Sequence, residues 1–230
     1  MEYRGRPAGT FATPPAGIIL HGSRSGKAGN PPMDEFLGTC RWVVANPDGL
    51  AWHATIGEHV YAAHLTPREW GWHARDHSRE YLGVEFAQPT VNDAITDAQV
   101  AAFVAWYRRE LLPTWPTMTP AGLLMPAHSE TPAGKRDGKS DPFPLGDPRN
   151  DELRARIYAA LAGPPAPPAA AFAVGAGILA AMRAAGDEPT GPEVYSSQVF
   201  GADWLSKAPG KLGLYVYDPA AKRVAFLAWR

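Results

Sequence analysis

The segment of residues 97–112 most restricts what this chain of 230 residues can fold into. Thr96 lies where an N-cap is expected, and Gln99 follows three positions later, which is the spacing of a capping box. Pro113 then ends the segment. Apolar residues recur along it at helical spacing: Val100, Phe103, Val104, Tyr107 and Leu111. The pattern predicts an amphipathic helix that buries one face against another layer of structure.

Short apolar segments come before this helix, and their lengths and flanking turns are typical of strands. A second helix is predicted at residues 151–161, where Leu153, Ile157 and Leu161 are spaced four residues apart. The predicted strands are residues 17–20, 41–45, 50–56, 58–62 and 81–86. Strands that alternate with helices favour a domain of the α/β class over residues 1–162.

A proline-rich segment separates this domain from the rest of the chain. Residues 163–168 contain four prolines, which is typical of a stiff linker. Beyond it, residues 169–230 have the size of a small α+β module. We predict a helix at residues 169–185 and two strands, at residues 212–217 and 224–229.

Composition excludes several classes of protein. Cys40 is the single cysteine, so neither an intramolecular disulfide framework nor a cysteine-rich metal cluster is expected. A formal net charge of −1 provides no bulk attraction to nucleic acid or to an anionic membrane surface. No run approaches the roughly 18 apolar residues of a membrane span. The first residues lack the apolar region of a Sec signal peptide, so we expect synthesis in the cytoplasm.

All seven histidines lie between His21 and His128. His21 ends the first predicted strand, at the sheet edge where α/β proteins usually bind ligands. His128 follows another apolar run, and Asp141 lies in the polar, loop-like stretch of residues 129–150. Two imidazoles and a carboxylate are a common set of catalytic zinc ligands, which leaves a fourth coordination position for water. Spacing alone does not select this set, because the chain has 23 acidic residues.

Seven short segments occur in one order between residues 17 and 145. They read IILHGS at 18–23, WHATI at 52–56, WHA at 72–74, YLGVE at 81–85, TDAQ at 96–99, AHSE at 127–130 and KSDP at 139–142. In this order they resemble the motifs of the type 2 N-acetylmuramoyl-L-alanine amidases, whose fold is shared with peptidoglycan recognition proteins. The resemblance implies a mixed central sheet flanked by helices. It also implies hydrolysis of the amide between N-acetylmuramic acid and L-alanine in peptidoglycan.

The resemblance further implies a catalytic centre. Residue by residue, Zn²⁺ would be held by His21, His128 and Asp141. Glu85 would accept a proton from the attacking water, and Lys139 would stabilise the oxyanion. His53, His73 and Trp72 match motif positions beside the centre, where they would support a zinc ligand or contact the substrate.

The third metal ligand and the biological setting stay open at this point. The stretch between His128 and Asp141 is longer than expected for the family, so Glu130 and Asp137 are alternatives to Asp141.

The absent signal peptide favours a phage or prophage endolysin that acts on the cell wall after release. A non-catalytic peptidoglycan-binding module of the same fold and an amidase of soluble (anhydro)muropeptides are the alternatives. Residues 169–230 are interpreted as a cell-wall-binding module, a packed extension or a dimerisation element.

Overall fold

The computed structural model describes residues 3–46 and 49–163 and the backbone of three strands between residues 206 and 228. The chain divides into two compact units at Gly163, and each is described by itself. In the first unit the strands β1 to β6 are Gly9–Thr10, Gly17–Gly22, Ala54–Gly57, Val60–Ala63, Glu69–Trp70 and Tyr81–Phe86. The helices α1 to α5 are Pro32–Ala45, Asp97–Trp106, Leu112–Thr114, Pro132–Arg136 and Pro148–Ala162. No described helix is long and apolar enough to cross a membrane.

The central sheet has four strands in the order β2, β6, β3, β4. β6 pairs in parallel with both β2 and β3, whereas β3 and β4 form an antiparallel pair. The sheet is therefore mixed and flanked by helices, which confirms the predicted fold class. A separate two-stranded ribbon joins β1 to β5.

The two faces of the central sheet differ. Alternation along β6 places Leu82, Val84 and Phe86 on one face, where they pack in the main hydrophobic core. That core also contains large buried side chains of α2, the following turn and α5: Phe103, Trp106, Tyr107, Leu111, Leu153 and Ile157. The opposite face of β6 carries Glu85, so this carboxylate lies away from the main core.

The helix predicted at residues 97–112 forms as α2 and continues through a π-helical turn, Tyr107–Leu111, into α3. Its predicted capping box is present, since the Thr96 hydroxyl accepts from the Gln99 N–H and the Gln99 side chain accepts from the Thr96 N–H. The helix predicted at residues 151–161 is α5, which begins earlier because Asp147 caps it and Pro148 occupies its first turn.

The strand predicted at residues 41–45 is wrong, because these residues form the last turns of α1. Phe36, Cys40 and Val43 recur at helical spacing and are buried, whereas Trp42 and Val44 are each 49% exposed. Residues 41–45 alone are too few to show the helical periodicity, which is recognised only when the preceding residues are included. The other predicted strands are confirmed, although β3 and β4 are shorter or shifted by up to a few residues.

A backbone segment outside the named strands extends the sheet along β2. The N–H groups of Ile18 and Leu20 donate to the carbonyls of Leu124 and Pro126, at 2.8 and 3.0 Å. Gly17 permits this close approach, since a Cβ there would lie 2.2 Å from the Leu124 oxygen. The segment ends at a 3₁₀ turn, His128–Glu130, and α4 follows, so the predicted loop of residues 129–150 contains helical structure.

The second unit contributes three antiparallel strands in sequential order: β7 (Ser206–Pro209), β8 (Gly213–Asp218) and β9 (Arg223–Ala228). The two strands predicted at residues 212–217 and 224–229 are confirmed to within one residue, and β7 was not predicted. The predicted helix at residues 169–185 and linker residues 164–168 lie outside the described residues.

Candidate active site

Three separate segments of the first unit meet at the carboxyl end of β2. His21 lies near the end of β2, and the parallel register places it beside Glu85 of β6. His128 follows the backbone segment that runs along β2. Asp141 lies in the loop between α4 and α5. Sheet edges of this kind position side chains from distant parts of a sequence at one point.

The two imidazoles converge on one carboxylate oxygen. Nδ1 of His21 and Nδ1 of His128 each lie 3.1 Å from Oδ2 of Asp141. One ligand atom from each residue lies within 4.8 Å of the others, and the two ring centres are 4.5 Å apart. His21 and His128 are only 3% and 7% exposed. Within the described part of the chain, this is the group of His, Cys, Asp and Glu residues that could hold a metal ion.

The hydrogen bonds of His73 indicate where the protons lie on His21. His73 Nε2 is 3.1 Å from the carbonyl oxygen of Tyr81, and a carbonyl only accepts, so this nitrogen carries the proton. Burial lowers the pKa of His73 well below its usual value, which keeps the ring neutral and leaves Nδ1 as an acceptor. His21 Nε2 therefore donates to His73 Nδ1, at 3.1 Å.

This arrangement leaves a lone pair on His21 Nδ1. Burial, followed by the nearby His128, lowers the pKa of His21 to about 4, so the ring is neutral near pH 7. Burial of Asp141 opposes its ionisation, but the contact with His128 acts against burial, and the pKa of Asp141 lies below its usual range. A nitrogen lone pair that faces a carboxylate oxygen needs a cation between them. The donor set therefore fits a divalent metal of the zinc type.

The carboxylate of Glu85 is buried beside this group. Its side chain is 8% exposed, and among the described residues no hydrogen bond to its carboxylate oxygens is present. Burial raises the pKa of Glu85 well above its usual value, and the negative charge of Asp141 raises it further. A raised pKa makes this carboxylate a stronger base than an ordinary glutamate.

Lys139 lies at the exposed rim of the same site. Its backbone N–H donates to the carbonyl of Gly134 at 2.9 Å, which fixes the loop that carries it. Its positive charge lowers the pKa values of both His21 and Glu85. The ammonium group therefore contributes positive charge in the surroundings of His21 and Glu85.

His53 and Trp72 are not part of the group that could hold a metal. His53 is fully buried, and both ring nitrogens contact backbone: Nε2 lies 2.7 Å from the Glu69 carbonyl, and Nδ1 accepts from the Gly83 N–H at 3.0 Å. The Trp72 ring packs edge-on against Trp70, with ring centres 5.0 Å apart. His53 therefore has a structural role in the fold, and Trp72 forms an aromatic pair with Trp70.

The two alternative third ligands are engaged elsewhere. Glu130 forms a two-point ion pair with Arg154 and accepts from the Ala127 N–H at 2.8 Å. Asp137 forms ion pairs with Arg75 and Arg136. Neither carboxylate is part of the group that could hold a metal.

No family model matches the sequence, and no curated protein matches it. Similar solved structures include the catalytic domain of XlyA, at 23% identity and a TM-score of 0.44, and a mutant endolysin from Bacillus subtilis, at 22% and 0.45. Each similarity covers 67% of this chain and 92% of the other chain.

A further similar structure is the endolysin N-acetylmuramoyl-L-alanine amidase LysCS from Clostridium intestinale URNW. It is 14% identical with a TM-score of 0.43, and the similarity covers 68% of this chain and 92% of that one.

Sequence reasoning missed one residue that contacts the site. Arg24 lies two residues beyond the end of β2, and its guanidinium donates to backbone carbonyls on both sides of Asp141. Its partners are main-chain atoms, so no side-chain pattern in the sequence indicates this role.

Proposed function

We propose that this chain is a zinc-dependent N-acetylmuramoyl-L-alanine amidase that acts on peptidoglycan. The observation that carries the proposal is the convergence of His21, His128 and Asp141 on one point, with Glu85 buried beside them. These are the residues to which the motifs of the type 2 amidases assign the metal and the proton transfer. Two histidines and one carboxylate with room for water form a common catalytic zinc site.

The chemistry of amide hydrolysis accounts for each residue. His21, His128 and Asp141 would hold the zinc ion, and a bound zinc ion supplies the Lewis acidity that activates water and polarises the amide carbonyl. Glu85 accepts the proton of the attacking water and delivers it to the leaving amine nitrogen, because an amine leaves readily only when protonated. The Lys139 ammonium stabilises the negative charge on the former carbonyl oxygen.

His73 supports the centre without touching the substrate bond. By accepting from His21 Nε2–H, it holds His21 in the tautomer whose Nδ1 faces Asp141. Hydrogen bonds of this kind orient metal-binding histidines and tune their affinity. Gly83 leaves room for the ring, since a Cβ there would lie 2.6 Å from His73 Cγ.

The decisive experiment follows product formation. Purified sacculi treated with the zinc-loaded chain should release stem peptides that begin with a free L-alanine amine, detected by mass spectrometry. His21→Ala should abolish release and zinc binding together. Glu85→Gln should keep zinc and lower turnover about 10²–10⁴-fold. His77→Ala, which changes a histidine outside the metal-binding group, is the matched control and should behave as the parent chain.

The outcomes separate the competing functions. Stoichiometric zinc without any product would contradict the proposal and favour a non-catalytic peptidoglycan-binding module. Product from soluble (anhydro)muropeptides but not from intact sacculi would contradict cell-wall hydrolysis and favour a soluble amidase. Turnover that persists after zinc removal would contradict the metal mechanism.

We also propose the setting of a phage or prophage endolysin, made in the cytoplasm and acting on the wall after release. Cells that express the chain should lyse when a membrane-permeabilising agent is added, whereas cells that express Glu85→Gln should not. Equal lysis in the two cultures would contradict this setting.

A further inference from the structure

The loop that carries Asp141 is held through its backbone carbonyl groups. Nη2 of Arg24 donates to the carbonyl of Ser140, at 2.9 Å, and also to the carbonyl of Pro142. These two carbonyls belong to the residues immediately before and after Asp141. One planar guanidinium therefore fixes the backbone on both sides of a proposed metal ligand.

A second residue holds the alternate carbonyls of the same loop. Ser129 donates its backbone N–H to the carbonyl of Asp141, at 3.1 Å, and its hydroxyl to the carbonyl of Phe143, at 2.7 Å. Ser129 is fully buried and directly follows His128. The loop is thus tied to the His128 segment by Ser129 and to the end of β2 by Arg24.

Arg24 is itself firmly placed. Its backbone has a φ of 55°, in the left-handed region that residues other than glycine rarely adopt. Its N–H donates to the Gln88 carbonyl at 2.9 Å, and Nη1 donates to Gln88 Oε1 at 2.7 Å. Gln88 is almost fully buried, and its amide donates to the Asp93 carbonyl at 2.7 Å. The guanidinium therefore has a buried partner, Gln88, in addition to the two carbonyls of the loop that carries Asp141.

The charge of Arg24 adds to this positioning. It interacts favourably with the carboxylates of both Asp141 and Glu85. Burial lowers the pKa of Arg24, but an arginine stays protonated in proteins. The guanidinium thus offsets part of the repulsion between two carboxylates that lie at one centre.

We propose that Arg24 is a positioning residue that connects the strand carrying His21 to the loop carrying Asp141, and so sets the geometry of the metal site. This inference rests on the proposed function, because it takes these residues as zinc ligands. Arg24 acts through Asp141 and makes no contact with the substrate bond.

The test compares three variants of the full chain. Arg24→Gln removes the guanidinium and its charge. Arg24→Lys keeps the charge, but a single ammonium group cannot reach the three acceptors on Gln88, Ser140 and Pro142. Arg156→Gln is the control, since Arg156 also donates to a backbone carbonyl, that of Ile95, and it pairs with Asp97, outside the metal-binding group. The measurements are the zinc dissociation constant by chelator competition, the visible absorption of the Co²⁺-loaded protein, and the free energy of unfolding without metal.

We expect Arg24→Gln to weaken zinc binding about 10–100-fold and to change the Co²⁺ spectrum. Arg24→Lys should weaken it several-fold, and Arg156→Gln should change neither measurement. Zinc affinity and spectrum equal to those of the parent chain in Arg24→Lys and Arg24→Gln would overturn the inference. Equal weakening by Arg24→Gln and Arg156→Gln would also overturn it, since the effect would then be one of general stability.

Failure of the proposed function looks different. In that case the parent chain itself binds no zinc or releases no product, whatever residue 24 is. If Arg24→Gln does not fold, Arg24→Lys decides the inference alone, because it keeps the charge and the aliphatic stem.

Discussion

The tautomer of His21 depends on His73, whose Nδ1 accepts the hydrogen bond from His21 Nε2–H. We predict that His73→Phe keeps the fold but weakens zinc binding about 10–100-fold, because the ring volume stays while the acceptor for His21 Nε2–H is lost. Chelator competition measures the change. His77→Phe, in the turn that follows, is the control. A zinc dissociation constant within twofold of the parent value in His73→Phe would contradict the tautomer assignment.

A second histidine ties stability to pH. His64 is buried, with Nδ1 2.6 Å from the Tyr3 carbonyl and Nε2 2.7 Å from Thr55 Oγ1. Burial lowers its pKa from 6.5 to about 4. Between these two values the unfolded chain binds a proton that the folded chain does not, so stability falls as pH drops below about 6.5.

We therefore predict that His64 costs the folded chain about 2 kcal/mol at pH 5 relative to pH 8. Urea unfolding at the two pH values measures the difference. His64→Gln should reduce the loss of stability by about that amount, whereas His59→Asn, a change at an exposed histidine, should not. A loss of the same size in the parent chain and in His64→Gln would show that His64 does not titrate as described.

The sequence singled out His21, His128 and Asp141 because their residue types and motif context are typical of zinc ligands, and the structure brings these three together. Arg24 escaped detection for a physical reason. Its acceptors are the carbonyls of Ser140 and Pro142, and any residue at those positions supplies a carbonyl. Roles exercised through the backbone leave no side-chain pattern in one sequence.

At the scale of elements, the sequence correctly predicted both residues of the capping box at the start of α2, Thr96 and Gln99. Thr96→Ala removes the hydroxyl that accepts from the Gln99 N–H, so we expect the free energy of unfolding to fall by about 1 kcal/mol. Thr96→Ser keeps the acceptor and is the control. Denaturant unfolding measures both variants, and zinc affinity should be unchanged. An unchanged free energy of unfolding in Thr96→Ala would mean that the cap contributes nothing measurable.

The elements predicted correctly are those whose signal is local. Residues 81–86 alternate between buried apolar positions and positions on the other face, and α2 has both a cap and an apolar stripe. Residues 41–45 were misassigned because a run of four apolar residues after Arg41 is too short to distinguish a strand from the end of a buried helix. Pairing of β2 with the segment before His128 involves backbone only and could not be inferred from composition.

At the scale of the whole molecule, every proposed ligand and catalytic residue lies in the unit of residues 3–163. The main core of this unit extends from Phe11 to Leu161. We predict that a chain ending at Gly163 folds cooperatively and binds zinc with the affinity of the full chain. Circular dichroism with thermal unfolding and chelator competition test this. A shortened chain that neither folds nor binds zinc would contradict the division into an independent catalytic unit and a separate module.

The central claim is that His21, His128 and Asp141 hold a zinc ion with which the chain cuts the muramoyl–alanine amide. The most direct measurement is the mass of products from purified peptidoglycan, before chelation, after chelation and after zinc is restored. The account predicts stem peptides with a free L-alanine amine in the first and third samples and none in the second. The same products in all three samples, or none in any of them, would contradict it.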